Sequence, residues 1–179
     1  MKFGIELECW APVTANRNTF DVAREMLRQA GLHTFDVRSD GSLYDGPAGF
    51  HGVEFVSPIL ESSSAEDHAK VRTLCALLQA NGYRVDRHCG FHVHLDAATL
   101  DVNDVKRVFA RYSEFESQID GFMPANRRGA IYYAQSGKDH VRNVNNVQTK
   151  AALARVLPSR YFRVNLEAIQ RHGTLEFRQ

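Results

Sequence analysis

Long apolar runs are missing from this sequence: none approaches the roughly 18 residues that a membrane-spanning helix requires. The opening MKFGIELECW places two glutamates where a secretory signal carries its apolar stretch, so no such signal is expected. Cysteine is scarce. Its three copies (Cys9, Cys75 and Cys89) are an odd number with no C-x-x-C spacing, which excludes a disulfide framework. The expected setting is therefore a reducing cytoplasm. An excess of one charge is also missing, since 22 Lys and Arg balance 21 Asp and Glu for a net charge of +1. A binder of DNA, RNA or an acidic membrane surface draws on a clear basic excess, so neither partner is expected. There is no Walker phosphate loop and no G-x-G-x-x-G after a strand, and Gln135-Ser136-Gly137-Lys138 is too short to be the former. Repeats and low-complexity tracts are absent as well.

What is present suits one globular domain of 179 residues, 44% hydrophobic and 24% charged. The pattern is α+β, with strands and helices taking turns. Alternation predicts strands over residues 2–9, 33–38, 50–57 and 89–96, with a turn at Ser39-Asp40-Gly41-Ser42. Helical spacing predicts a first helix over 19–30, stopped by Gly31, and a second capped by Ser64 that ends before Gly82. The apolar face of the second is Val71, Leu74, Cys75, Leu77 and Leu78. A third helix over 102–119 presents Val105, Val108, Phe109, Tyr112, Phe115 and Ile119. Residues 121–146 read as loop with a short strand at 131–134, followed by a short helix over 149–156 and strands at 161–164 and 173–179.

The two-residue period of a strand sorts polar residues as well as apolar ones. In Phe3-Gly4-Ile5-Glu6-Leu7-Glu8-Cys9, both glutamates oppose the apolar side chains. Glu54 opposes Val53 and Phe55, while His92, His94 and Asp96 alternate with Phe91, Val93 and Leu95. Glu176 and Arg178 alternate with Leu175 and Phe177. Four strands thus repeat one arrangement, apolar on one side and metal-ligand chemistry on the other. A merely wet face has no reason to prefer Glu and His, and Glu is a mediocre strand former. Two carboxylates about 6 Å apart repel by roughly 3 kcal/mol at an effective dielectric near 20. Bringing several together calls for cations, and oxygen donors with one or two imidazoles suit Mg2+ or Mn2+. A zinc site built from Cys89, His92 and His94 is disfavoured, because Cys89 falls on the opposite strand face.

In order along the chain, GIELE, DGSL, GVEFVSP, CGFHVHLD and GTLEFR resemble the amidoligase family, a branch of the carboxylate–amine ligases related to glutamine synthetase and glutamate–cysteine ligase. The resemblance runs from Gly4 to Arg178. It implies a glutamine synthetase catalytic-domain-like fold, a curved antiparallel sheet with helices packed on one face, beneath ATP and substrate. It implies that Glu6, His92 and Glu176 hold one divalent ion and Glu8 and Glu54 another. His94 would contact nucleotide phosphate or substrate, and Arg178 would face the transferred phosphoryl group. The implied reaction is ATP-dependent amide formation through an acyl phosphate, joining a carboxylate-bearing small molecule or peptide to an amine. ATP would be held through metals and basic side chains, with Arg127, Arg128, Lys138 and Arg142 the available suppliers. Family members generally continue beyond E-x-R with helical sequence, so a compact version, a fragment or half of an oligomeric site is implied.

Other residues receive plainer expectations. Asp40-Gly41-Ser42 is either a turn or an active-site latch. Arg163 and Asn165 are expected to serve structure, Asp96 to cap, Trp10 to be core, and the three cysteines to be buried and inert. The competing functions are a metal-dependent hydrolase and a non-catalytic metal-binding or assembly module.

Overall fold

Apolar residues at alternate positions after Met1 build β1 (Lys2–Pro12), which pairs antiparallel with β3 (Phe50–Val56). The computed structural model describes all residues except Pro124, Ala130, Ile131 and Gln179. It divides into two compact units, Met1–Phe91 and His92–Gln179. In the first, β2 (Asp36–Arg38) and β4 (Leu60–Glu61) join β3 and β1 respectively, both antiparallel. One row across β2, β3 and β1 is Val37, Phe55 and Leu7, and Val53 faces Cys9 in the neighbouring pair. Val37, Val53, Phe55 and Cys9 are fully buried, each large apolar side chain contributing about 1.5–3 kcal/mol. Helix α1 (Thr19–Gln29) packs on β1 and β2 with Ala23 and Leu27 buried. Asn18 caps it through the amides of Phe20 and Asp21, and Gly31 follows in the left-handed region.

Strand β1 runs past the expected end at residue 9, because Ala11 and Pro12 still face His51 and Phe50. The expected strand over 33–38 shortens, since Phe35 turns back to donate its amide to Leu32. Helix α2 (Ala65–Ala80) carries the Ser64 cap, with Leu74 and Leu78 buried. Cys75 lies off that stripe and is exposed, correcting the expectation that all three cysteines are buried.

Trp10 lies on the same face of β1 as Glu8 yet is fully buried, because the segment after β2 folds over it. Two glycines permit this. A Cβ at Gly46 would overlap the indole, and one at Gly52 would overlap the Leu43 side chain and sit 2.9 Å from the Leu43 carbonyl oxygen. The glycine of G-V-E-F is thus where strand and covering loop touch.

The second unit takes in most of β5 (Phe91–Asp96), which pairs antiparallel with β7 (Thr174–Arg178), itself flanked by β6 (Val164–Asn165). Helix α3 (Val102–Asp120) begins at a capping box of Asp101 and Asp104. Its Val105 and Phe109 join Leu153, Val164, Leu166 and Leu175 in one core, alongside Val144 of α4 (Val141–Asn146). Phe115, expected on that face, is exposed, and Ser113 and Glu116 are buried instead. Glu116 explains this: it accepts from Ser136 Oγ at 2.6 Å and the Gly137 amide at 3.0 Å, docking the loop on α3. Arg163 ties the same loop down through Asp120 at 2.8 Å and the Gly129 carbonyl. The stretch read as loop also contains 3-10 turns at Ala125–Arg127 and Lys138–His140. Ile131 of the expected strand at 131–134 lies outside the described residues, as does Gln179. The short helix is α5 (Lys150–Leu153), and a further one, α6 (Ala168–His172), ends at left-handed Gly173 before β7. No helix among the described residues is long and apolar enough to cross a membrane.

Gly52→Ala is expected to lower stability by about 1–3 kcal/mol through overpacking, read as a fall in melting temperature that an alanine at exposed, unobstructed Gly41 does not produce.

Candidate functional site

In the first unit the polar face is ordered by strand register. Glu8 lies directly opposite Glu54, and Glu54 in turn lies opposite Arg38, giving a row of three charged side chains across β1, β3 and β2. Glu8 is 4% and Glu54 9% exposed. Like charges facing each other across a strand pair destabilise it, and removal from water raises that cost. The turn after β2 adds a third carboxylate. Asp40 accepts from the Ser42 amide at 2.7 Å and from the Ser42 hydroxyl, which lies 3.4 Å from Glu8 Oε2. Glu8 Oε2 also accepts from the Gly90 amide at 2.7 Å. One oxygen each from Glu8, Asp40 and Glu54 lies within 4.8 Å of the others.

Desolvation, followed by the charges of Glu6, Asp40 and Glu8, pushes the Glu54 carboxyl up to about 8; Arg38 opposes this and does not cancel it. Arg38 is shared with Asp36, its Nε lying 2.7 Å from Asp36 Oδ2. An all-oxygen, net-anionic cluster with a carboxyl that resists ionisation is what a hard divalent cation would fit: Mg2+, Mn2+ or Ca2+. Glu6 is half-buried, two residues before Glu8 on the same side of β1.

The second unit carries a corresponding row. His94 faces Glu176 across β5 and β7, and Glu176 faces Asn165 across β7 and β6; His92 faces Arg178. Buried Glu176 is held from three sides. Asn165 Nδ2 donates to Oε2 at 2.6 Å, Arg178 Nη1 donates to Oε1 at 2.5 Å, and His92 Nδ1 lies 3.6 Å from Oε1. His94 Nδ1 is 2.9 Å from Thr174 Oγ1, which fixes its ring. Arg178 Nε donates to the Tyr133 carbonyl at 3.3 Å. Two of the basic residues expected near nucleotide are placed differently from each other. Arg127 is buried in its 3-10 turn, while Arg128 donates from Nε to the Met123 carbonyl at 2.8 Å, within its own loop.

Within each unit, then, the structure brings Glu8 and Glu54 together, and His92, His94, Glu176 and Arg178 together. Three participants carry more than sequence reasoning assigned them. Asp40, left open between turn and latch, forms the turn with Ser42 and brings an oxygen beside those of Glu8 and Glu54. Asn165, read as structural, holds Glu176. Arg38 was not singled out, although its alternation with Val37 places it on the polar face. Asp96 caps as expected, accepting from the Ala98 amide at 2.9 Å. Cys9 and Cys89 are buried, and burial raises both thiols, Cys89 to about 12, so neither is a ready nucleophile.

A family model described as "Putative amidoligase enzyme" matches residues 1–179, the whole chain. No curated protein and no solved structure gave a significant match. The chain belongs to the amidoligase family, whose members are classed as ligases.

Because the Glu54 carboxyl sits near 8 when folded and at 4.5 as an ordinary glutamate, the native state keeps a proton that the unfolded chain releases. Its effect on stability is most favourable below about pH 4.5 and declines as pH rises through about 8. In chelator, the wild type should therefore lose melting temperature from pH 5 to 8 more steeply than Glu54→Gln, with the variant the more stable of the two at pH 8.

Proposed function

We propose that this protein is an ATP-dependent carboxylate–amine ligase that uses divalent metal ions. The observation that carries the reading is the Glu8–Asp40–Glu54 cluster, three carboxyl groups held so close that Glu54 resists ionisation, in a chain of the amidoligase family. A substrate carboxylate oxygen attacks the γ-phosphorus of ATP, the bond to the β-bridging oxygen breaks, and ADP leaves. The acyl phosphate is then attacked at carbon by the amine, phosphate departs, and the nitrogen gives up a proton. A bound Mg2+ or Mn2+ would supply charge neutralisation on the phosphate oxygens.

The side chains have separate tasks in this scheme. Glu8, Asp40 and Glu54 would hold one cation, with the Gly90 amide and Ser42 fixing the orientation of Glu8. His92 and Glu176, 3.6 Å apart in the second unit, are the proposed ligands for a second. Asn165 keeps the Glu176 carboxylate in one rotation. Arg178 is the proposed partner for charge developing on the transferred phosphoryl group. Its bond to Glu176 keeps it in place before nucleotide arrives, and phosphate oxygens would compete for the same guanidinium. Thr174 holds His94 ready as a donor or acceptor to phosphate or substrate. Arg127 and Arg128 are assigned only a supporting electrostatic part.

The test is ADP release over a panel of carboxylates and amines with Mg2+. ADP formation should need both co-substrates, and Glu8→Gln and Glu176→Gln should each lower it by about a hundredfold or more, the scale of losing a group that stabilises transition-state charge. Their melting temperatures in chelator should not fall correspondingly. Product formation without nucleotide would instead identify a hydrolase, and metal-dependent melting with no turnover would identify a binding module.

A further inference from the structure

The second unit carries an aromatic feature with no part in the scheme above. An isolated parallel bridge joins Gln135 and Phe162. The Gln135 amide donates to the Tyr161 carbonyl at 2.8 Å, and the Arg163 amide to the Gln135 carbonyl at 3.0 Å. These bonds draw the segment before Ser136 alongside the segment before β6, and three tyrosines meet. Tyr132 and Tyr161 lie 5.4 Å apart at 35°, while Tyr133 stands edge-on to both, at 5.0 Å and 86° from Tyr132 and at 5.8 Å and 82° from Tyr161. Edge-on contacts satisfy the ring quadrupoles, so Tyr133 fixes the other two rings.

This cluster is not a buried core. Tyr132 is 67% exposed, although its own loop is anchored by Glu116 and Arg163. A fixed backbone thus holds a broad aromatic surface in water. Two guanidinium groups frame it: Arg160 Cζ lies 5.3 Å and Arg178 Cζ 5.9 Å from the Tyr161 ring centre. Arg178 is bonded on one side to Glu176 and on the other to the Tyr133 carbonyl. The chemistry narrows the ligand. A cation would meet two arginines, and a plain hydrocarbon would make no use of them. A planar ring carrying an anionic tail suits both features.

We infer that Tyr132, fixed by Tyr133 and Tyr161, is the stacking platform for the nucleotide base, with Arg160 at its rim. The inference rests on the ligase reading and deepens it by naming the base subsite. Stacking depends on ring area rather than on hydrogen-bonding edges, so purine triphosphates should bind more tightly than pyrimidine triphosphates.

Calorimetry on the full chain with Mg2+ tests it, comparing a non-hydrolysable ATP analogue with inorganic tripolyphosphate. Tyr132→Ala should weaken the ATP analogue by about tenfold or more, leave tripolyphosphate binding and melting temperature unchanged, and Tyr132→Phe should bind like wild type. Unchanged binding of the analogue in Tyr132→Ala would overturn the inference, as would equal weakening of tripolyphosphate. If wild type binds the analogue no better than tripolyphosphate, the base subsite falls and the ligase reading stands. If wild type binds neither, both fall.

Discussion

A carboxylate facing a carboxylate across two neighbouring strands, away from bulk water, is the constraint around which the first unit is built. Glu8 and Glu54 cannot drift apart, because the antiparallel register sets them opposite each other and Val37, Phe55, Leu7, Val53 and Cys9 hold that register from the other face. A slip of one residue would turn the carboxylates into the core and those side chains out. The hydrophobic face therefore enforces an electrostatic arrangement that unaided strands would avoid. Asp40 is pressed into the same arrangement by a loop that closes over Trp10, a closure permitted by Gly46 and Gly52.

The second unit handles charge differently. Its buried Glu176 is already satisfied by Arg178 and Asn165. One unit thus crowds three carboxyl groups together, and the other holds an anion with its counter-ion. For a ligase this contrast is useful. Excess carboxylate is a place to hold a divalent cation, and an arginine held by a carboxylate is pre-positioned without being surrendered. Family membership supports amide ligation at the level of the reaction class. The metal and nucleotide assignments are proposals carried by these side-chain arrangements.

Much of this was legible in the sequence because strands impose a strict two-residue period. Parity alone put Glu6, Glu8, Glu54, His92, His94, Glu176 and Arg178 opposite apolar neighbours. The caps at Ser64 and Asp101 and the stop at Gly31 were equally local signals, although only the first and last were read from sequence. What escaped depends on contacts between distant residues. Glu116 sits on a helix face where periodicity favoured Phe115, and only its bonds to Ser136 and Gly137 explain its burial. Helices α4 and α6 are too short for an apolar period to show. Asn165 could not be linked to Glu176 without knowing that β6 lies beside β7. Tyr132, Tyr133 and Tyr161 meet only through the bridge at Gln135.

The central claim is that Glu8, Asp40 and Glu54 are tolerable as neighbours because a divalent cation joins them. Its most direct test is a Mn2+ titration followed by electron paramagnetic resonance, on the wild-type chain and on Glu54→Gln. The account predicts saturable Mn2+ binding by wild type that weakens more than about tenfold when this one carboxylate is neutralised. Indistinguishable titrations of the two proteins, or no bound Mn2+ in either, would contradict it.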